Sequence, residues 1–253
     1  MSPGSARSVA GGGAARPARS QEDQAGYVLH TYPYSETSLI VETFTREHGR
    51  VPLLAKGARR AKSGLRSAML QFQRIAISWA GRGELKSLVR AEWMGGIPAL
   101  RGTALFCGFY LNELLLKLLA RDDPHERLFD DYERALALLG GGAPEAPVLR
   151  VFEKALLREI GYAVNLDHEA GGRPLQPASR YVYLPEQGLV ARDVHGEDDI
   201  VLSGAQALAI GRDDFADVAT SGLAKQLMRR LIEYHLNGRQ LSTRRIFFAL
   251  QQP

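Results

Sequence analysis

A group of basic side chains in the first third of the chain is suited to binding phosphate. Five cations fall within eleven residues and no acid lies among them: Lys56, Arg59, Arg60, Lys62 and Arg66. Guanidinium and ammonium groups bind the backbone of a polyanion without reading its sequence. Gly57 and Gly64 disfavour regular structure, so we expect a flexible basic loop carried on the strand Val51–Ala55. A run of charge is ordinarily a solvated surface, but the absence of acids favours nucleic acid here.

The surrounding sequence extends this basic character. Arg50 precedes the loop, and Arg82 and Lys86 fall on a neighbouring predicted hairpin. Between Arg46 and Arg90 eleven lysines and arginines face two acids, whereas the whole chain carries a net charge of +4. The middle of the chain is acidic instead, with six carboxylates close together: Asp122, Asp123, Glu126, Asp130, Asp131 and Glu133. Such charge asymmetry between regions is typical of a nucleic-acid-binding protein.

Two tyrosines are candidates for base stacking. Proteins that bind single strands combine basic grooves with aromatic side chains on which bases stack. Tyr32 and Tyr34 flank Pro33 in a predicted turn, which places them well for such contacts. Trp79 shares one face of a predicted strand with Ile77, so we expect it in the core. The sequence leaves open whether the two tyrosines stack on bases or only line a turn.

The sequence shows no set of residues with catalytic spacing. The six histidines are dispersed, and the hydroxyls of residues 35–38 have no histidine base nearby in the sequence. Cys107 is the one cysteine, so neither an intrachain disulfide nor a cysteine-rich zinc site is possible. No apolar run reaches the length of a bilayer span. We therefore expect a cytoplasmic protein that is not an enzyme and does not contact membranes.

Short strand-like segments surround the basic loop. They are rich in Val, Ile, Leu and aromatic residues and are separated by turn signals: Tyr27–Thr31, Leu39–Phe44, Val51–Ala55, Arg74–Trp79 and Leu85–Glu92. Five strands at hairpin spacing predict a small barrel. Residues 1–24 contain almost no large apolar side chains, so we expect a disordered extension there.

The second part of the chain has a helical pattern. After Pro98 the apolar period changes from two to 3.6 residues, and Ser203 with Gln206 predicts a capping box at one helix start. Short extended segments return at about residues 165–200. We therefore predict an α+β multidomain protein, with the disordered extension at 1–24, the barrel at 25–98 and a helical domain at 99–253 that carries the β insertion.

Several motifs in this order resemble the RecO family. They are Tyr27–His30, Tyr34–Leu39, Phe44–Thr45, Gly49–Val51, Ala55–Arg59, Gly81–Lys86, Tyr110–Leu115, Arg150, Phe152–Glu153, Ala155–Leu157 and Gly161–Asn165. Each motif alone is unspecific, but their common order and register from about Tyr27 to Ile246 make chance similarity implausible. The resemblance implies a five-stranded OB-fold barrel, followed by an α-helical domain with a small zinc-finger-like β insertion.

The resemblance also implies a function in bacterial recombinational repair. A protein of this family binds single- and double-stranded DNA, anneals complementary strands, associates with RecR and with the single-strand binding protein SSB, and helps to load RecA. We expect a monomer when the protein is alone, and an association with the nucleoid. An RNA-binding or ribosome-associated OB-fold protein remains the alternative, because a basic barrel suits either nucleic acid.

The insertion departs from the family pattern. Some members hold zinc there through four cysteines, whereas the matching stretch at about residues 165–199 contains His168 and His195 but no cysteine. We therefore expect no zinc and no other cofactor. Instead, we expect the insertion to be held together by apolar packing of Tyr181, Tyr183 and Leu189.

A second site follows from the resemblance, because the acidic SSB tail ends in a carboxylate after apolar residues. Its receptor needs an apolar groove with a cation at one end. Two predicted helices offer such residues: Arg150, Phe152, Leu156, Leu227, Arg230 and Tyr234. Arg150 is the sharpest candidate, because a cation early in a helix opposes the helix dipole. Ordinary core packing is the alternative for the apolar members.

Overall fold

The computed structural model describes residues 20–60, 63–191, 196 and 199–243. Residues 1–19, Lys62 and His195 lie outside these ranges, so the structure does not test the predictions made for them. The side chain of Arg66 is also outside the description, although its backbone belongs to a short helix.

Five strands close into a barrel in the first part of the chain. They are β1 (Ser20–Tyr34), β2 (Ser38–Thr45), β3 (Gly49–Ala55), β4 (Ile75–Ala80) and β5 (Lys86–Trp93). The order around the barrel is β1-β2-β3-β5-β4, and β4 pairs back onto β1. The contact between β3 and β5 is parallel and the others are antiparallel. This arrangement confirms the predicted five-stranded OB-fold barrel.

Strand β1 is longer at both ends than the sequence predicted. Residues 20–24, predicted to be disordered, pair with β4 from Ser20 opposite Ala80 onwards. The prediction was wrong for these residues because backbone pairing to a neighbouring strand needs no large side chains. At the other end Pro33 pairs with Leu39, so the predicted turn begins only after Tyr34.

The barrel interior is filled by the alternating apolar side chains of its strands. They include Val28, Val41, Val51, Leu53, Ile75, Ile77 and Trp79. Trp79 is 3% exposed, which confirms the prediction that it belongs to the core. Helix α1 (Leu65–Ala68) packs against β5, and Met69 just after it joins the barrel core.

Helices form the second domain. They are α2 (Gly102–Leu118), α3 (Glu126–Gly140), α4 (Glu145–Glu159), α5 (Gly204–Gly211) and α6 (Val218–Leu236). The predicted capping box is present, because the Ser203 hydroxyl accepts from the Gln206 backbone while the Gln206 side chain accepts from the Ser203 backbone. None of the helices in the described ranges is sufficiently long and apolar to cross a bilayer.

The insertion forms a small antiparallel sheet between α4 and α5. Its strands are β6 (Arg180–Leu184), β7 (Gly188–Ala191) and β8 (Val201–Ser203), in the order β7-β6-β8. Tyr181 and Leu189 are buried in one cluster with α5 and α6, and Tyr183 packs against that cluster. The predicted apolar packing of the insertion is thereby confirmed.

The barrel and the helices share a continuous core. Tyr27 on β1 contacts the rings of Phe129 and Tyr132 on α3, with centroids 5.5 Å and 5.2 Å away. Asn112 on α2 donates to the backbone carbonyl of Leu29 on β1 at 2.9 Å. Because these contacts are buried, the helical domain holds the barrel in a defined orientation.

Candidate nucleic-acid interface

The basic loop lies against the turn between β1 and β2. The backbone N–H of Arg59 donates to the carbonyl of Thr37 at 2.9 Å, and its guanidinium donates to the carbonyl of Ser35 at 3.2 Å. Lys56, Arg59 and Arg60 are all exposed. Arg59 therefore fixes the start of the loop while these three charges face solvent.

The two candidate stacking tyrosines lie beside this contact. Tyr32 and Tyr34 lie at the C-terminal end of β1, next to the turn, and are 45% and 47% exposed. Tyr34 pairs with Ser38 across the turn whose Ser35 carbonyl accepts from Arg59. The Tyr32 ring also meets His30 edge-on, with centroids 4.5 Å apart. Exposed rings and exposed cations thus share one end of the barrel.

Arg50 has a different position from the one that the sequence suggested. Its side chain is 14% exposed, and its guanidinium donates to the carbonyl of Leu119 at 3.0 Å and to that of Leu116. The Nε atom lies 3.4 Å from the carboxylate of Glu42. Burial lowers the pKa of Arg50. Arg50 binds the carbonyl end of α2, where a cation is favoured, so it is not available as an exposed phosphate contact.

The cations of the β4–β5 hairpin are divided between two environments. Lys86 Nζ lies 2.6 Å from Asp122 Oδ1, in the connection between α2 and α3, and its side chain is 15% exposed. Arg82 is exposed in the turn before β5. Lys86 therefore joins the two domains, whereas Arg82 remains at the surface.

The acidic stretch also faces cations of the barrel. Arg46 pairs with Glu126 at 2.6 Å and with Asp130 at 3.2 Å, while Arg74 pairs with Glu133 at 2.9 Å. Part of the positive excess of the barrel is thus neutralised within the protein. Lys56, Arg59 and Arg60 of the basic loop and Arg82 of the hairpin stay exposed.

The residues proposed for the SSB tail do not form an open groove. Arg150 is buried and pairs with the buried carboxylate of Glu153 at 2.7 Å. Three apolar members of the set are buried in the domain core: Phe152, Leu156 and Leu227. The early cation in α4 is thus explained by an ion pair with the next helical turn, and ordinary core packing accounts for the apolar positions.

The two remaining members of that set lie on the surface of α6. Arg230 is exposed, and Tyr234 is 47% exposed with its hydroxyl donating to Glu186. Because Phe152, Leu156 and Leu227 are packed beneath the surface, the structure does not bring all six side chains together at one accessible site.

The insertion has no ligand set for a metal among the residues that the structure describes. No three His, Cys, Asp or Glu side chains in those ranges are arranged to hold an ion. His168 is instead paired with Asp167, with Nδ1 2.9 Å from Oδ1. A four-cysteine site does not fit this chain, because its single cysteine, Cys107, is buried in α2.

The sequence pattern missed one exposed aromatic residue. Trp93 ends β5 and is 62% exposed, whereas the predicted strand stopped at Glu92. Trp93 pairs with Ile75 of β4, which is buried, so only the structure shows that the Trp93 ring is exposed.

Comparison with known proteins matches both domains. The family model described as "Recombination protein O N terminal" matches residues 20–97, and the one described as "Recombination protein O C terminal" matches residues 100–245. The DNA repair protein RecO of Dechloromonas aromatica (strain RCB) is 50% identical over 235 residues, covering 91% of this chain and 97% of that protein.

The chain belongs to the RecO family. The RecO protein of Ralstonia nicotianae is 48% identical over 241 residues, which cover 94% of this chain and 88% of that protein. The RecO protein of Aromatoleum aromaticum is 49% identical over 234 residues, which cover 91% of this chain and 97% of that protein. These RecO proteins are described as DNA repair proteins.

The RecO-like motif in α2 has a structural role here. Tyr110 donates to Glu153 at 2.6 Å, and the Glu113 carboxylate accepts from the backbone of Ser242 and Thr243 at 2.8 Å and 2.9 Å. Burial by itself would raise the pKa of Glu113, but hydrogen bonds from Thr243 and Ser242 lower it below the usual value. The motif therefore connects α2 to α4 and to the C-terminal segment.

Proposed function

We propose that this RecO-family protein is a non-enzymatic recombination mediator. It binds single- and double-stranded DNA without sequence specificity, anneals complementary strands at the nucleoid and, with RecR, helps to load RecA onto SSB-coated DNA. Family membership supports a role in DNA repair, and the OB-fold barrel is an architecture that binds oligonucleotides. In this proposal the barrel, which begins at Ser20, holds DNA, and the helical domain at 99–253 contacts protein partners.

One observation carries the DNA-binding part of this proposal. Arg59 attaches the basic loop to the turn after Tyr34, so exposed cations and exposed rings lie on one surface. Cations neutralise phosphates of any sequence, and rings accept any base because every base has a π face. This combination suits a protein that must act on any broken DNA.

The same chemistry explains annealing without a nucleotide cofactor. Two complementary strands repel each other through their phosphates, and neutralisation by Lys56, Arg59 and Arg60 lowers that repulsion. Because the contacts are to the backbone, the Watson–Crick edges of the bases stay available for pairing.

The salt dependence of DNA binding tests the interface. Wild-type protein should bind unrelated sequences of equal length with similar affinity, and the affinity should fall steeply as salt rises. Arg59→Ala should weaken binding to all sequences alike and reduce the salt slope by about one. Arg127→Ala, which removes an exposed arginine of α3, is the matched control and should keep the wild-type slope. An unchanged slope for Arg59→Ala would remove this loop from the interface.

Competition between DNA and RNA strands of one sequence separates the proposal from the RNA-binding alternative. A mediator of DNA repair should retain its bound DNA strand against an equal amount of RNA. A strong preference for RNA would contradict the proposal that the basic loop and its neighbouring tyrosines bind DNA.

The protein partners require a separate experiment. Pull-down with full-length SSB and with SSB that lacks its C-terminal tail should recover more of the full-length protein. Of the six residues predicted to bind the SSB tail, Arg230 and Tyr234 have exposed side chains. Arg230→Ala therefore tests whether this exposed part of α6 binds the tail. Equal recovery of both SSB forms by wild-type protein would refute a tail receptor.

A further inference from the structure

An exposed indole is held in a fixed orientation at the end of β5. Trp93 is 62% exposed, yet its ring N–H donates to Gln73 Oε1 at 3.1 Å. The amide nitrogen of Gln73 donates in turn to the carbonyl of Ile97 at 3.1 Å. A large aromatic ring that is both exposed and oriented is unusual, because burial would stabilise it.

A glycine makes this arrangement possible. A Cβ atom on Gly96 would lie 2.6 Å from Gln73 Oε1 and 3.6 Å from the Trp93 ring. Any side chain at residue 96 would therefore displace the glutamine that orients the indole. The backbone at this position is shaped around the Gln73–Trp93 contact.

The indole forms one wall of a groove of about 860 Å³ between α1, β5 and the segment before α2. Its lining is largely apolar and includes Gly64, Ala68, Leu70, Ala91, Trp93 and Leu100. Leu70 is 60% exposed, so the groove is open to solvent. Glu92 also lines it, with its carboxylate 3.5 Å from Arg90 Nε.

The groove lies at the end of the barrel from which the basic loop leaves. Strands β3 and β5 are parallel, so the exposed loop residues Lys56, Arg59 and Arg60, which follow β3, lie at the same end of the barrel as Trp93, which ends β5. A ligand bound across this end of the barrel therefore meets both the cations and the apolar aromatic wall. Phosphates linked to flat, apolar-faced rings have the complementary chemistry.

We propose that Trp93 is a stacking platform for an unpaired base of single-stranded DNA whose phosphates lie on the basic loop. This rests on the proposed function, since it assumes that the loop binds DNA. Bases within a duplex are already stacked on their neighbours, so Trp93 acts on single strands alone. It gives the protein a means to distinguish single-stranded from double-stranded DNA.

The test compares single-stranded and duplex binding by three variants. Trp93→Ala should weaken binding of an oligothymidine by about 5- to 150-fold, the range expected for one lost stacking contact. Its affinity for duplex and its salt slope should stay at the wild-type values. Trp93→Phe keeps a ring and should retain most of the single-strand affinity. Val89→Ala removes an equally exposed apolar side chain of β5, 64% exposed, and should have no effect.

A fluorescence readout is independent of affinity. The chain has two tryptophans, so Trp79→Phe leaves Trp93 as the single reporter. Oligothymidine should quench its emission, and duplex of the same length should not. Unchanged emission with bound oligothymidine would overturn the proposal.

Each further outcome separates this inference from the proposed function. If wild-type protein binds DNA and Trp93→Ala binds single strands equally well, the stacking site is refuted and the mediator function stands. If Trp93→Ala loses SSB or RecR instead of DNA, the groove is a protein site and the inference is wrong. If wild-type protein binds no DNA, the proposed function fails first. Thermal melting of each variant shows that it is folded.

Discussion

Lys86 Nζ lies 2.6 Å from Asp122 Oδ1, and this pair joins the barrel to the connection between α2 and α3. Arg46 and Arg74 make the same kind of contact with acids of α3. The acidic stretch therefore forms ion pairs with cations of the barrel and neutralises part of their charge. The basic loop and Arg82 remain exposed, whereas the sequence alone would assign the whole charge excess to DNA.

Replacement of Lys86 should affect stability and not the salt dependence of DNA binding. Lys86→Ala should keep the wild-type salt slope, because its charge is already paired. A double-mutant cycle with Asp122→Asn should give a coupling energy of about 0.2–1 kcal/mol, since Asp122 is half-exposed and solvent screens the pair. Asparagine suits this position because residue 122 has a φ of 56°. A lower salt slope for Lys86→Ala would show that the pair opens on DNA.

Loss of Arg150 should destabilise the helical domain strongly. Arg150→Ala leaves the buried carboxylate of Glu153 without its cation, which should cost about 3–5 kcal/mol in urea unfolding. Arg127→Ala removes an exposed arginine and should change stability by less than about 0.5 kcal/mol. If Arg150→Ala were as stable as wild type and lost SSB binding, the result would instead support the predicted role of Arg150 in binding the SSB tail.

Alkaline pH should destabilise the protein through its buried tyrosines. Burial and the hydrogen bond to Glu133 raise the pKa of Tyr27, and burial raises that of Tyr132. The unfolded chain loses these protons near pH 10, while the folded protein keeps them. The unfolded state then binds fewer protons, so stability present below pH 10 is lost progressively as the pH rises above it.

Tyr27→Phe should make this loss less steep. The slope should fall by up to about 1.4 kcal/mol per pH unit above pH 10, measured by urea unfolding from pH 9 to 11. Phe129→Leu alters the packing beside Tyr27 but removes no ionisable group, so it should lower stability equally at every pH. Identical pH slopes for Tyr27→Phe and wild type would contradict the assignment.

The start of β3 should not tolerate a side chain at Gly49. Its φ is 64°, and an added Cβ atom would lie 1.8 Å from the carbonyl oxygen of Asp123. Gly83 also has a positive φ, of 91°, but no atom within 4 Å of an added Cβ. Gly49→Ala should therefore cost about 1–3 kcal/mol more than Gly83→Ala in thermal or urea unfolding. Equal losses would mean that the start of β3 can move away from Asp123.

Most elements of the fold could be predicted from local patterns. Alternating residues identified the five barrel strands, and the Ser203–Gln206 pair identified a helix start, because both signals depend on near neighbours. Strand β1 was underestimated because residues 20–24 are held by β4, which is more than fifty residues away in the chain. Pairing between distant segments leaves little trace in local composition.

The candidate interface was predictable in part. The sequence by itself determined the basic loop, since five cations without an acid need no tertiary structure to be recognised, and it determined the family through ordered motifs. Only the tertiary structure decided which charges are available. Arg50 and Lys86 are bound by carbonyls or carboxylates that lie elsewhere in the fold, Arg150 is buried beside Glu153 of its own helix, and Trp93 is exposed at the end of the barrel. Charge is a property of each residue, whereas exposure depends on what the folded chain places beside it.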